Sequence, residues 1–308
     1  MITTPDSSAL PKVGVVIVNF NNYGDTIRYV GSCLIDQEMI DLSVVIVDNC
    51  SDNDSFARIG EAFINENRVF LIRNEQNTGY SGGNNTGIRY LETLGCDYIV
   101  ISNNDVYFSD NLFIKKLIDE YEKLRDAAFI APVMDKDGKP SGEHSAWKIP
   151  GRLKEIISSE YILNFTGRLC LKKFSYDLSG LNGQLIRVDC LAGSFFMGRT
   201  SEFRTAGYLD ENVFLYYEET ILGQKIAEQH KSNYVVTYLH YDHFQDRSVM
   251  TRYNRISKLR ILFNSRLYYW KTYRRSGIIF LSILRILYFI NLAETCIFRF
   301  RKVFIQER

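Results

Sequence analysis

Through the first 133 residues, short runs of β-branched and other apolar residues alternate with segments of helical length. The runs are VGVVIVN (13–19), SVVIVDN (43–49), VFLIR (69–73), YIVIS (98–102) and AFIAPV (128–133). Each is apolar at nearly every position and lacks the in-out alternation of a half-exposed strand, so both of its faces must be covered. Strands of that kind separated by helices are the pattern of βαβ units. The connecting helices are expected near residues 24–36, 54–66, 84–94 and 110–125, with Asp110 as the N-cap of the last. An α/β fold follows: a Rossmann-like, mostly parallel twisted sheet flanked by helices. The chain has 308 residues and 46% hydrophobic content, enough for one large core or two modest ones.

In such open sheets, ligands bind beyond the carboxyl ends of the strands. Here strand one ends in Asn19, strand two in Asp48 and Asn49, strand three leads to Asn77-Thr78-Gly79, and strand four ends in Asn103-Asn104-Asp105. One polar strand end is ordinarily a turn residue. Four on the same side of one sheet point to a binding site. Asp105 supplies a carboxylate for a hard divalent cation, which prefers one or two carboxylates plus substrate phosphates. Asn103 adds an amide oxygen or bonds a ribose or phosphate. With a single acid in the cluster, the metal needs a further ligand, and His243 in YLHYDHFQDRS is the candidate, against a purely structural role for a lone histidine.

Two further stretches are ambiguous by themselves. The Gly-rich run NTGYSGGNNTG (77–87) precedes a helix, where small residues would let backbone amides approach an anion. It has neither G-K-[ST] nor G-x-G-x-x-G spacing, which disfavours an ATP P-loop and a dinucleotide fold; a flexible turn is the alternative. Glu218-Glu219 follow FLYY and open a helical pattern, ILGQKIAEQH. Carboxylates at a helix start are favoured by the helix dipole, while an apolar, aromatic approach also raises a glutamate pKa toward general-base duty.

Beyond residue 134 the pattern weakens. Asp137-Gly138 reads as a turn, and the stretch to about 182 suits a flap or an acceptor-shaping insertion. Order returns with LIRVDC (185–190), GSFFMGR (193–199) and a short helix from Ser201 to Ala206.

The net charge of +1 hides an asymmetry. Thr251 to Arg308 carries 13 Lys or Arg against two acids, and the rest of the chain 24 basic against 34 acidic residues. That tail also holds GIIFLSIL and ILYFINLA, broken by Arg285 and closed by Glu294. It reads as a helical, basic and amphipathic extension (251–308) of a main domain (1–250), suited to an anionic membrane surface; a cap on the body or a homodimer contact is the alternative. Six scattered cysteines without a C-x-x-C pair fit a reducing compartment. The first ten residues lack the marks of a signal peptide. A cytoplasmic protein, peripheral at the inner membrane face and without a nucleic-acid partner, is expected.

The order of the motifs carries more than any one of them. VVIVNFN, VVIVDNCSDND, NTGYSGGNNTGI, ISNNDV, CLAGSFFMGR, GYLDENVFLYYEET and His243 to Ser248 together resemble family 2 glycosyltransferases, especially bacterial rhamnosyltransferase-like enzymes of the GT-A fold. The resemblance covers roughly residues 12–250. It implies a nucleotide-diphosphate sugar donor (dTDP-rhamnose or a UDP-sugar), Mg²⁺ or Mn²⁺, and inversion at the anomeric carbon. It also implies a saccharide acceptor, lipid-linked given the tail, as in O-antigen or capsule assembly.

By the same resemblance Asn19 and Asp48 contact the nucleoside, and Asn77, Gly79 and Asn84 line the nucleotide and sugar pocket. Asn103-Asn104-Asp105 replaces the D-x-D motif, with Asp105 and His243 toward the metal. Gly193 and Ser194 match the small pair near the sugars, Glu219 the base, and Glu218 a site-shaping role. The sequence departs from the family at Asn103, where D-x-D has an acid, and at Glu219, one methylene longer than the usual residue. Two other readings are a sugar-nucleotide nucleotidyltransferase and a membrane-associated nucleotide-sugar-binding protein without activity.

Overall fold

The structure, a computed structural model, describes residues 10–136, 138–158, 175–178, 183–244 and 254–306. Asp137, Cys170, Ser248 and residues 159–174 and 179–182 of the expected insertion lie outside them, as does the expected domain division at 250. Five apolar runs form strands as expected: β1 (Lys12–Asn19), β2 (Asp41–Asp48), β3 (Val69–Arg73), β4 (Tyr98–Ser102) and β6 (Ala127–Lys136), with β5 (Val106–Tyr107) following β4. The intervening helices are α1 (Tyr23–Tyr29), α2 (Ser55–Ala62), α3 (Gly79–Thr93) and α4 (Phe113–Tyr121). A small subregion follows, comprising β7 (Lys139–Pro140), α5 (Gly142–Ser145), β8 (Ala146–Trp147) and α6 (Arg152–Ser158). Next come β9 (Leu185–Val188), β10 (Cys190–Leu191), β11 (Phe195–Arg199), α7 (Thr200–Thr205), α8 (Glu218–Glu228) and β12 (Ser232–His243). Helices α9 (Arg255–Thr272) and α10 (Ile278–Gln306) complete the described chain.

The main sheet runs β3-β2-β1-β4-β11-β6-β12-β5. Its first four strands are parallel. Side chains alternate between two cores as continuous apolar strands require: Val13, Val15 and Ile17 enter one, Val16 the other. Burying each such side chain stabilises the fold by about 1.5–3 kcal/mol.

Beyond β4 the order departs from a simple βαβ succession. β11, sequence-distant, inserts between β4 and β6 and runs antiparallel to both. This insertion carries Gly193 and Ser194 to the tip of β4. At the far side, β12 follows β6 in parallel through register shifts at Ser232/Asn233 and Val236/His240. Its end then pairs with β5, setting His243 opposite Val106.

Two local expectations are corrected. Helix α3 begins at Gly79, so the Gly-rich run is the helix itself and not a turn before it. A Cβ on Gly83 or Gly87 would stand 2.9 Å from Val18 Cγ1 or 2.4 Å from Val16 Cγ1. These glycines are small because α3 lies directly on β1. Asp110 is not the cap residue of α4. Its Oδ1 accepts from Leu112 N at 2.9 Å, closing the turn that leads into the helix.

The C-terminal helices pack on the body. Tyr269, Trp270, Phe280, Leu281 and Leu284 form a core with Val213 and Ile221. One face of α10 is thereby buried, while Ile278, Ile279, Ile286, Phe289 and Ile290 on the other are 41–77% exposed. Ile278–Cys296 is long and apolar enough to cross a membrane by length and composition.

Candidate active site

The site is built at the carboxyl ends of β1, β2 and β4. Asn104 Nδ2 donates to Thr26 Oγ1 (2.9 Å), Thr26 Oγ1 to Asn19 Oδ1 (2.9 Å), and Asn19 Nδ2 to Asp48 Oδ1 (2.9 Å). Ser51 closes the chain on Asp48 through its hydroxyl and its backbone N–H. Asn19, Thr26 and Asp48 are fully buried. Buried polar groups cost free energy unless bonded, so the relay fixes three strand tips relative to one another. Asn19 and Asp48 thus lie beneath the strand ends, committed to neighbouring groups.

Asn49 organises the next layer. Its Nδ2 donates to Asn77 Oδ1 and Gly79 O, both at 3.0 Å, and its Oδ1 accepts from Asn74 and Thr78. Gly79 has φ +72°, and a Cβ there would stand 2.2 Å from Phe214 O. Only glycine fits that approach. The first amides of α3 are already used: Gly79 N donates to Asn77 Oδ1 and Tyr80 N to Phe214 O, each at 3.0 Å. The helix start is therefore a joint to the segment before α8, with its first two amides engaged within the protein. Asn84 is buried within α3 and donates to Tyr80 O. Asn85 pins Leu209 through both its amide and its carbonyl oxygen.

The β4 tip faces the end of β12. His243 Nε2 stands 2.9 Å from Asp105 Oδ1, and Asn103 Nδ2 3.3 Å from the same nitrogen. The Asp105 contact lacks hydrogen-bond alignment, leaving Asp105 Oδ1 and His243 Nδ1 buried without hydrogen-bond partners among the described residues. A carboxylate oxygen beside an imidazole nitrogen fits part of a divalent cation's donor set. No group of three or more His, Cys, Asp or Glu is found among the described residues.

Gly193 and Ser194 join this tip to the glutamate pair. Asn103 N donates to Ser194 O at 2.9 Å, and Gly193 N donates to Glu219 Oε1 at 3.3 Å. The Ser194 and Tyr241 hydroxyls bond at 2.7 Å. A Cβ at position 193 would stand 2.8 Å from the Tyr80 hydroxyl and 3.0 Å from Glu219 Oε1. Glu218 is buried, and its Oε2 has no hydrogen-bond partner among the described residues. Burial, then the neighbouring charge of Glu219, pushes Glu218 well above the carboxylate range. Burial also raises Glu219, with the Glu219 and Gly193 backbone amides pulling it back. The pair follows Tyr216 and Tyr217, both in the left-handed region at φ +68° and +70°. That conformation costs about 1–2 kcal/mol for each such residue.

The structure thus gathers Asn103, Asp105, His243, Gly193, Ser194 and Glu219 around one backbone junction. It sets Asn19, Asp48, Asn84 and Asn104 behind them as scaffolding. Sequence reading missed Thr26, Ser51, Tyr80 and Tyr241. Ser51 lies three residues past the end of β2, and Thr26 lies in α1, seven residues past the end of β1.

A family model described as glycosyl transferase family 2 matches residues 14–193, and the chain belongs to that family. It is 26% identical over 217 residues to the low-salt glycan biosynthesis hexosyltransferase Agl10 of Haloferax volcanii. That match covers 62% of this chain and 63% of the relative. Among solved structures, GalNAc-T7 with UDP, GalNAc and Mn²⁺ matches 87% of this chain and 50% of its own, with a TM-score of 0.60 and 17% identity. Residues 1–349 of TarS from S. aureus match 86% of this chain and 74% of their own, with a TM-score of 0.50 and 16% identity. Both likenesses concern the fold, and the fold is GT-A.

A carboxyl whose folded pKa is raised binds its proton more tightly when folded. Its stabilising contribution is present below the ordinary value of 4.5 and is lost as pH rises through the folded pKa. Glu218→Gln is therefore expected to melt above the parent protein at pH 7, by about 2–4 °C per kcal/mol recovered. The advantage should vanish below about pH 4.5. Thermal melts across pH check this, and a lower melting point for the variant at pH 7 would contradict it.

Proposed function

We propose that the chain is an inverting glycosyltransferase that moves a sugar from a nucleoside-diphosphate donor to a saccharide hydroxyl. The observation that carries this reading is the tethering of Glu219 and of the Asn103–Asp105 tip to adjacent residues, Gly193 and Ser194. An acceptor base and a group for the departing diphosphate must flank one reacting carbon, and this junction holds them side by side. The family match ends at residue 193, so the role of Glu219 rests on this geometry and on the motif resemblance.

Glu219 takes the proton from the acceptor hydroxyl as that oxygen bonds to the anomeric carbon from the face opposite the diphosphate. The bond from that carbon to the diphosphate breaks, and its electron pair leaves with the nucleotide. Gly193 N–H orients the Glu219 carboxylate, and buried Glu218 shapes the site. Asp105 and His243 would hold Mg²⁺ or Mn²⁺, with Asn103 beside them. Such an ion, when bound, supplies positive charge to the leaving diphosphate. Asn77 and Gly79 border the sugar and nucleotide region, while Asn19, Asp48, Asn84 and Asn104 support it from behind. A UDP-sugar or dTDP-rhamnose suits this reading.

Glu219→Gln is expected to lower transfer by about 10²–10⁴-fold while donor affinity stays within about twofold. In the parent enzyme, the rising limb of turnover should titrate above the ordinary carboxylate range. Turnover close to the parent's in the variant would remove the base assignment.

The outward face of α10 supports a lipid-linked acceptor and a peripheral place on an anionic membrane, in cell-surface polysaccharide assembly at the cytoplasmic face. It is apolar across Ile278, Ile279, Ile286, Phe289 and Ile290, and exposed Lys271, Arg275 and Arg285 lie on α9, on its connection to α10 and on α10. The 251–308 extension acts here as the membrane-facing part of the 1–250 enzyme. The chain should sediment with phosphatidylglycerol vesicles, and Ile286→Glu with Phe289→Glu should weaken this about tenfold. Absence of vesicle binding, with a dimer that the same substitutions dissociate, would assign the face to a second copy instead.

A further inference from the structure

The segment from Tyr208 to Tyr217, which delivers Glu218 and Glu219, is clamped from one side by α9. Tyr268 and Tyr273 donate to Asp210 Oδ2 at 2.9 and 2.6 Å. Ser265 Oγ donates to Leu215 O at 2.8 Å. At the end of the segment, the Tyr217 hydroxyl donates to Glu155 Oε1 at 2.6 Å, and Arg266 Nε lies 2.7 Å from the same oxygen and 3.3 Å from the hydroxyl. The Glu155 side chain is 2% exposed and that of Arg266 13%. Three parts of the chain thus meet in one buried charged cluster: α6, the residue preceding the glutamate pair, and α9.

A buried ion pair is weak evidence for stability, since an apolar pair of similar volume does as well or better. What this cluster does specify is the conformation of Tyr217. That residue is left-handed, and its carbonyl accepts the first α8 hydrogen bond, from Ile221 N at 2.8 Å. Release of the hydroxyl would let φ relax, rotate the start of α8, and move Glu219 away from Gly193 N.

We propose that Arg266 and Glu155, acting through the Tyr217 hydroxyl, are positioning residues for Glu219, so that helix α9 completes the active site. The inference rests on the transferase reading for its catalytic consequence only. Its structural consequence stands apart: the hydrogen bond from Gly193 N to Glu219 depends on a cluster formed by Glu155, Tyr217 and Arg266.

The test uses the full chain and two variants. Tyr217→Phe keeps the ring and the ion pair but loses the hydroxyl. Glu155→Leu with Arg266→Met replaces the ion pair by apolar groups and so leaves no uncompensated charge. In both, the Gly193 and Glu219 amides should exchange hydrogen about tenfold faster, while exchange in β1, β2 and β4 is unchanged. Turnover should fall about 10- to 100-fold, as expected for a group displaced by about 1 Å, with donor affinity within about twofold. Unchanged exchange at Gly193 and Glu219 in Tyr217→Phe would overturn the proposal, as would a uniform rise across the whole sheet. Absence of transfer by the parent enzyme would instead remove the transferase reading, with the exchange result still deciding the positioning role.

Discussion

The arrangement depends on a buried chain of hydrogen bonds running from Asn104 through Thr26 and Asn19 to Asp48 and Ser51. Each link satisfies a polar group that would otherwise cost about 1–3 kcal/mol in the interior. The strands are almost wholly apolar and could slide or splay at their tips without it. With the relay in place, β1, β2 and β4 end at fixed relative positions, and Asn103 and Asp105 project from a rigid edge. The charge and polarity at these ends are architecture first. Asp105 Oδ1 and His243 Nδ1 remain without hydrogen-bond partners among the described residues.

From that edge the site grows by backbone contacts between distant parts of the chain. Strand β11 enters beside β4 and brings Ser194 O to Asn103 N. Gly193, where a Cβ would crowd the Tyr80 hydroxyl and the Glu219 carboxylate, donates its N–H to that carboxylate. Glycine at 79 performs the corresponding service at Phe214 O. These approaches hold the segment before α8 at Phe214 and α8 itself at Glu219. Helix α9 holds that segment from the other side. A single helical hairpin therefore presents one face to the segment before α8 and, through α10, an apolar face outward.

Much of this was legible in the sequence where the signal is local. Continuous apolar runs specify strands covered on both faces, and their polar ends mark the binding edge, so β1 to β4 and the Asp105 tip emerge directly. His243 was legible as a candidate because a strand-like run leads into it, although its meeting with Asp105 depends on β12 pairing with β5. The Gly-rich run was ambiguous, because small residues serve a phosphate contact and close helix packing equally, and the pattern does not show that Gly83 and Gly87 lie against β1. The position of β11 was not legible, since antiparallel insertion between β4 and β6 is decided by packing between distant segments. The meeting of Glu155, Tyr217 and Arg266 is spread over more than a hundred residues of chain and has no local pattern at all.

The central claim is that the separate strand tips converge on one centre where Asp105 and His243 face a diphosphate with its cation. Titration calorimetry of UDP, with and without Mn²⁺, tests it on the parent chain and on Asp105→Ala and His243→Ala. The account predicts binding that strengthens about tenfold or more with Mn²⁺ in the parent and loses that gain in both variants. UDP affinity indifferent to Mn²⁺ in the parent, or a full Mn²⁺ gain retained in both variants, would contradict it.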